Sequence, residues 1–130
     1  MQEGRSLIFD TTRYTLHALT IMEIRKEQKQ NAVRLSAVEN GEELGAMYVY
    51  LIYNDSHKEP YGFLEDVLVK EEHRKKGIGS ALVNEAIAEA KRLHCYKVIG
   101  TSRMERENVH AWYEKLGLKK HGYEFRMDLS

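Results

Sequence analysis

Glu71-Glu72-His73-Arg74-Lys75-Lys76-Gly77-Ile78-Gly79-Ser80 separates an apolar, strand-like run from the longest amphipathic stretch of the chain. Two glycines at the start of a helix let a large anion approach the backbone, because no Cβ intervenes. The first amides of a helix have no intrahelical acceptor, and the helix dipole adds partial positive charge there. A pyrophosphate satisfies both. Arg74, Lys75 and Lys76 add charge and steering that salt weakens. A helix that merely begins with glycine would also show Gly-x-Gly, but three basic residues there oppose the dipole unless an anion is present. The segment is not a Walker loop, since no Gly-Lys-Ser/Thr follows, and a dinucleotide fingerprint would need glycine where Leu82 stands.

The flanking segments read outward from this turn. Downstream, Ile78, Leu82, Ala86, Ala90 and Leu93 form one stripe, widened by Val83 and Ile87, which predicts a helix over Gly77 to Leu93. Upstream, Tyr61 to Val69 predicts a strand, with Phe63, Val67 and Val69 on one face and Leu64 and Leu68 on the other. Apolar residues on both faces suit a central strand covered on both sides. Asn54 to Pro60 is a polar loop closed by the chain's single proline. Ala32 to Val38 and Leu44 to Tyr53 are strands joined through Asn40-Gly41, a strong hairpin signal.

Lys26 to Asn31 is expected to be a polar turn. Thr12 to Arg25 is read as a long strand on its Thr and Tyr content, and the first ten residues as a lead-in. Tyr96 to Thr101 predicts a short buried strand and Glu107 to Leu116 a helix stopped by Gly117. Tyr123, Phe125, Met127 and Leu129 then alternate as a final strand. An antiparallel meander followed by helix, strand, helix and strand is an α/β layout on a mixed sheet, within one domain over residues 1–130.

Lys+Arg and Asp+Glu balance at 20 each, whereas a nucleic-acid binder ordinarily carries a basic excess, so no nucleic-acid partner is expected. No apolar run approaches the roughly 20 residues that span a bilayer, and no signal-peptide pattern opens the chain, so no membrane partner is expected either. Cys95 is the single cysteine. It has no internal disulfide partner, which suits a cytoplasmic location, and it reads as a buried structural thiol. The six histidines, at 17, 57, 73, 94, 110 and 121, show no metal-site spacing, so no metal is expected.

Strand, then Arg74-x-x-Gly77-x-Gly79, then helix resembles the acetyl-CoA motif of the GNAT superfamily of N-acetyltransferases. A second likeness lies downstream, where Asn108-Val109-His110-Ala111-Trp112-Tyr113-Glu114-Lys115-Leu116-Gly117-Leu118 is similar to that family's aromatic-Tyr-Glu-Lys-x-Gly-Phe segment. Together the two cover about Ala32 to Leu129. Phe63-Leu64-Glu65-Asp66-Val67 and Leu93-His94-Cys95-Tyr96-Lys97-Val98 are similar to segments of glucosamine-phosphate acetyltransferases, a narrower likeness.

The resemblance implies a GNAT-like fold: a mixed, mostly antiparallel sheet flanked by helices. It implies that the amides of Lys75, Lys76, Gly77, Ile78, Gly79 and Ser80 hold the CoA pyrophosphate beside Arg74. The backbone of Val67, Leu68 and Val69 would pair with the pantetheine arm like an added strand. Asn108 would contact the cofactor near the pantetheine, and Tyr113 would face the sulfur. The acyl donor is then acetyl-CoA, and its acceptor a primary amine.

Amide formation requires an amine to lose a proton and a thiolate to leave. Tyr113, whose phenol ordinarily titrates near 10, can donate to the thiolate. Glu65 is the expected base, directly or through water, because a carboxylate in an apolar central strand is costly without a partner or a task. Asp66, pointing to the opposite face, is the second choice. Glu114 and Lys115 read as a solvated face and Trp112 as core. Family domains ordinarily carry a first strand and two helices ahead of the hairpin. The residues before Ala32 read poorly as two helices, so a shortened N-terminal region is expected, with the acceptor site open or closed by another subunit. A homodimer follows if an apolar edge is left exposed. Acceptors on a protein N-terminus or lysine, and a non-catalytic acyl-CoA-binding module, are the alternatives.

Overall fold

The computed structural model describes residues 15–17, 20–29 and 31–130. They fall into two compact units, one ending at Gly100 and the other spanning Thr101–Ser130. The first unit holds strands β1 (Thr15–His17), β2 (Thr20–Lys29), β3 (Ala32–Glu39), β4 (Glu42–Ile52), β5 (Tyr61–Val69) and β6 (Val98–Gly100), with helix α1 (Ile78–Arg92) between the last two. The strands form one sheet in chain order. Neighbours from β1 to β5 are antiparallel, and β6 joins β5 in parallel after the α1 crossover. The mixed, mostly antiparallel sheet predicted from the pattern is present.

Asn40 and Gly41 turn the β3–β4 hairpin with φ of 53° and 79°, the paired left-handed conformation that favours Asn-Gly. Period-two alternation then sends Val33, Leu35 and Ala37 of β3, Met47 and Val49 of β4 and Leu64 of β5 to one buried face. Helix α1 packs against β3, β4 and β5 and buries Leu82, Val83, Ala86 and Ala90. Each buried Leu, Val or Met of this set contributes about 1.5–3 kcal/mol relative to exposure. That core fixes the sheet beneath the helix.

Two charged residues share this buried stripe. Glu85 and Glu89 on α1 are 2% and 3% exposed. Lys26 of β2 reaches both, at 3.1 and 3.0 Å, and Arg92 pairs with Glu89. Burial pushes the Glu89 carboxyl up, but hydrogen bonds from Arg92 and Lys26 outweigh it and hold the group below its ordinary value. The expected turn over Lys26 to Asn31 is therefore wrong. Strand β2 continues to Lys29, with Lys26 turned inward, and the reversal centres on Asn31 at φ 58°.

The single strand expected over Thr12 to Arg25 is instead an antiparallel pair, β1 and β2. Residues 12–14, 18 and 19 of it lie outside the described residues, as does the lead-in over residues 1–10.

In the second unit, helix α2 (Glu107–Lys115) ends with Leu116 as its cap and Gly117 at φ 107°. The amides of Gly117 and Leu118 donate to the carbonyls of Glu114 and Tyr113, closing a Schellman motif. The final strand predicted from Tyr123 to Leu129 does not form. Tyr123, Phe125, Met127 and Leu129 are 78%, 93%, 80% and 89% exposed. Alternation shows that a segment can cover a sheet, but a strand also needs a partner ladder. No strand is formed over residues 121–130 among the described residues. No helix among the described residues is long and apolar enough to cross a membrane.

Candidate active site

The β5–β6 pairing stops at Leu64 and Gly100. Beyond it, Leu68 and Val69 remain paired with Ala46 and Gly45 of β4, while their other edge has no strand partner among the described residues. A Cβ on Gly45 would lie 2.9 Å from the Leu68 carbonyl oxygen, so glycine permits the close approach of β5 at this point. The Val67–Val69 segment is thus held from one side and open on the other. A ligand carrying amides could add to it as a strand would.

The chain leaves β5 through Lys70 and a 3-10 turn, Glu71–His73, before reaching α1. Arg74 is tied back by its Nε, which donates to the Val69 carbonyl at 3.0 Å. Lys75 and Gly77 take φ of 65° and 80°. Gly77 caps α1, and the first helical bond runs from the Ala81 amide to the Gly77 carbonyl at 3.0 Å. The amides of Ile78 and Gly79 therefore precede the helical ladder. No acidic side chain lies in this first turn, and Arg74, Lys75, Lys76 and Gly77 are exposed. Space beside Gly77 is clear to 4 Å. The turn leaves amides and clear space at a helix start flanked by three exposed basic residues.

A β-bulge disturbs β5 just before the open segment, since Ala46 pairs with Leu68 but Tyr48 already pairs with Glu65. Asp66 occupies the bulge at φ 61°. Two sequence expectations fail here for this one reason. The bulge changes which way successive residues point, so Glu65 and Asp66 line the same hollow instead of opposite faces. It also leaves Leu68 63% exposed where a covered strand was predicted. Glu65 is exposed too, so no burial cost marks it. Its carboxylate accepts the Asp66 amide at 3.3 Å.

That hollow, about 550 Å³ and open to solvent, is lined by Asn31, Tyr50, Leu51, Ile52, Phe63, Glu65 and Asp66. A second hollow of about 340 Å³ shares Asp66 and includes Leu68 and Val69 of the open segment, with Arg34, Glu43, Tyr48 and Lys70. Arg34 is clamped by both oxygens of Glu43, at 2.9 and 3.0 Å. Tyr48 and Tyr50 stack with ring centres 5.4 Å apart. Asn31 and Tyr50 were not singled out as site residues by sequence, and Phe63 was read only as a strand-face residue and part of a family-like segment. Two-residue alternation across β4 and β5 could have paired Tyr50 with Phe63, but the bulge that adds Asp66 leaves no simple pattern.

Asn108 and Tyr113 belong to the second unit and lie on α2. Asn108 is exposed in the first turn, and Tyr113 is half-buried with its ring 5.1 Å from that of Trp112. Trp112 is half-buried as well, not the core residue expected. Cys95 is likewise only half-buried, and desolvation pushes its thiol up. Glu42, Glu72 and His73 bring donor atoms within 4.8 Å of one another, a grouping not anticipated from spacing. The Lys70 ammonium already lies 3.7 Å from Glu42 and supplies positive charge there.

Comparison with known proteins bears on this geometry. A glucosamine 6-phosphate N-acetyltransferase of Trypanosoma brucei brucei is 38% identical over 68 residues, 52% of this chain and 44% of that protein. An aminoglycoside N(6')-acetyltransferase type 1 of Acinetobacter baumannii is 28% identical over 117 residues, 90% of this chain and 70% of its own. The chain thus spans less than half of the first of these relatives. The crystal structure of a Trypanosoma brucei acetyltransferase superposes with a TM-score of 0.70 at 28% identity, over 76% of this chain and 70% of that one. The sequence profile of the acetyltransferase (GNAT) family matches residues 5–118, taking in the open β5 edge, the glycine turn and α2. The chain belongs to the GNAT family of acetyltransferases.

Proposed function

We propose that the chain transfers the acetyl group of acetyl-CoA to a primary amine of a small molecule, by direct attack in a ternary complex. The observation that carries this is the half-open β5: among the described residues Val67–Val69 has no strand partner on one edge, and a glycine-bearing helix start follows. A pantetheine arm and a pyrophosphate need those two features in that order. Acetyl-CoA supplies the thioester. Backbone groups of Val67, Leu68 and Val69 would bind the arm, and Arg74, Lys75, Lys76 and the amides from Gly77 to Ser80 would bind the phosphates, with Asn108 near the pantetheine.

In this reading Glu65 takes a proton from the acceptor ammonium, directly or through water, with Asp66 as the alternative. The amine nitrogen forms a bond to the thioester carbon as the carbon–sulfur bond breaks. Tyr113 protonates the departing sulfur and regains a proton from the nitrogen of the new amide, so no acyl-enzyme is required. The family match runs across Gly100, which supports reading residues 1–130 as a single domain. The single, half-buried Cys95 suits a reducing compartment such as the cytoplasm.

Openness of the hollow favours one second reading, an acceptor on a protein N-terminus or lysine. Self-association belongs to the proposal as well. The exposed apolar side chains of Tyr123 to Leu129 and the edge of β6, which has no partner strand among the described residues, offer material for a homodimer. Thiol release from acetyl-CoA over a panel of small amines and peptides tests the reaction. Small amines should be turned over at least as well as peptides, and binding without release would leave only an acyl-CoA-binding module.

A further inference from the structure

Resting on the self-association reading and not on acetyl transfer, we propose that residues 123–129 are an exchanged strand. In a dimer, each copy lays this segment along the β6 edge of the other. Period two runs through it, with Tyr123, Phe125, Met127 and Leu129 alternating with Glu124, Arg126 and Asp128. Arg126 Nε donates to Asp128 Oδ1 at 2.6 Å, a contact across two residues that sets both charged groups on one side of the chain. The apolar side is left bare, its four side chains between 78% and 93% exposed.

The segment belongs to a unit, Thr101–Ser130, in which no residue is buried. Units of fewer than about 40 residues ordinarily need a disulfide, a metal or a further chain for stability. A disulfide within this unit is excluded, because the single cysteine is Cys95. At the end of the sheet, the outer edge of β6 has no strand partner among the described residues. One chain thus carries a strand-like segment without a ladder and a ladder edge without a strand. Exchange between two copies satisfies both needs twice, in an isologous contact that closes on itself.

Area favours a second copy as the occupant. Each aromatic side chain buries roughly 150–250 Å², so Tyr123 and Phe125 of two copies bring roughly 600 Å² or more. The surfaces they cover bring about as much again, which reaches the roughly 1,200 Å² at which stable interfaces begin. Met127 and Leu129 add to that.

Sedimentation equilibrium and amide hydrogen exchange on the full chain, over a wide range of protein concentration, test this together. At high concentration the chain should be a dimer. Amides of residues 123–129, and those of residues 98–100 that face away from β5, should then be protected about tenfold or more. Both protections should fall together on dilution. Phe125→Asp should be monomeric and lose them, with sheet and helix retained in circular dichroism, because the side chain is 93% exposed. Met127→Asp should do the same, and it carries the test if the first variant fails to fold.

A monomer at every concentration overturns both the exchange and self-association. A dimer whose tail amides exchange freely, or one that survives both variants, keeps self-association and overturns the exchange. Tail protection that ignores dilution places the strand on its own chain and overturns it as well. Tail protection without any in residues 98–100, or open-ended assembly beyond a dimer, does so too.

Discussion

The two halves of the candidate site are built from different materials. On the donor side, the open edge of Val67–Val69 and the turn from Arg74 to Ser80 present backbone amides, carbonyls and glycine-cleared space. On the acceptor side, the hollow is walled by the side chains of Tyr50, Phe63, Glu65 and Asp66. Backbone recognition tolerates many sequences, provided that strands stop and glycines stand in the right places. Side-chain recognition changes with every substitution.

The comparison breaks first at Tyr113 if it is wrong. If Tyr113 is the proposed proton donor, Tyr113→Phe should lower kcat about 100-fold or more while acetyl-CoA affinity changes little. Steady-state kinetics beside calorimetry check this, and equal loss in both would make Tyr113 a binding or structural residue.

Gly77→Val attacks the donor half through its backbone. A β-branched residue is strained at φ 80°, so acetyl-CoA affinity should fall by about 10-fold or more, with the fold retained in circular dichroism. Unchanged affinity would mean that the phosphates bind elsewhere.

The scaffold beneath both halves depends on Lys26. Lys26→Met leaves Glu85 and Glu89 buried without their shared cation, and chemical denaturation should show a loss of about 3 kcal/mol. The pH dependence has a defined sign. Glu89 is held below its ordinary value in the folded chain, so its contribution is present above the unfolded carboxylate pKa and is lost as pH falls through the lower, folded one. Lys26 is raised, since the pulls of Glu89 and Glu85 outweigh its desolvation. Its contribution persists below the ordinary lysine value and fades only above it. Stability should thus drop on acidification in the wild type, and the acid limb should flatten in Glu89→Gln. An unaltered limb would show that other groups govern it.

The smallest expected effect is at Lys75. It is exposed, so Lys75→Ala should weaken acetyl-CoA binding by about threefold at low salt and less at high salt. A salt-independent loss would point to a specific contact instead of steering.

Much of the donor half was legible in the sequence because its signals are local. Tyr61–Val69 follows from apolar density, the helix from the stripe through Leu82, Ala86 and Ala90, and the turn from two glycines behind three basic residues. The acceptor half depends on what strands do across the sheet. Nothing in Glu65-Asp66-Val67 announces that β4 and β5 lose register there, so the shared orientation of the two acids was invisible. Lys26 looked like a turn residue because its partners lie about 60 positions away on α1. The reverse error occurred at Tyr123–Leu129, where alternation implied a strand without revealing whether any ladder would receive it.

A calorimetric titration of acetyl-CoA into the full chain tests the central claim most directly. The half-open β5 and the glycine turn predict saturable binding of one acetyl-CoA per chain, in the micromolar range, that weakens as salt is raised. Absence of binding at high micromolar acetyl-CoA would contradict the account.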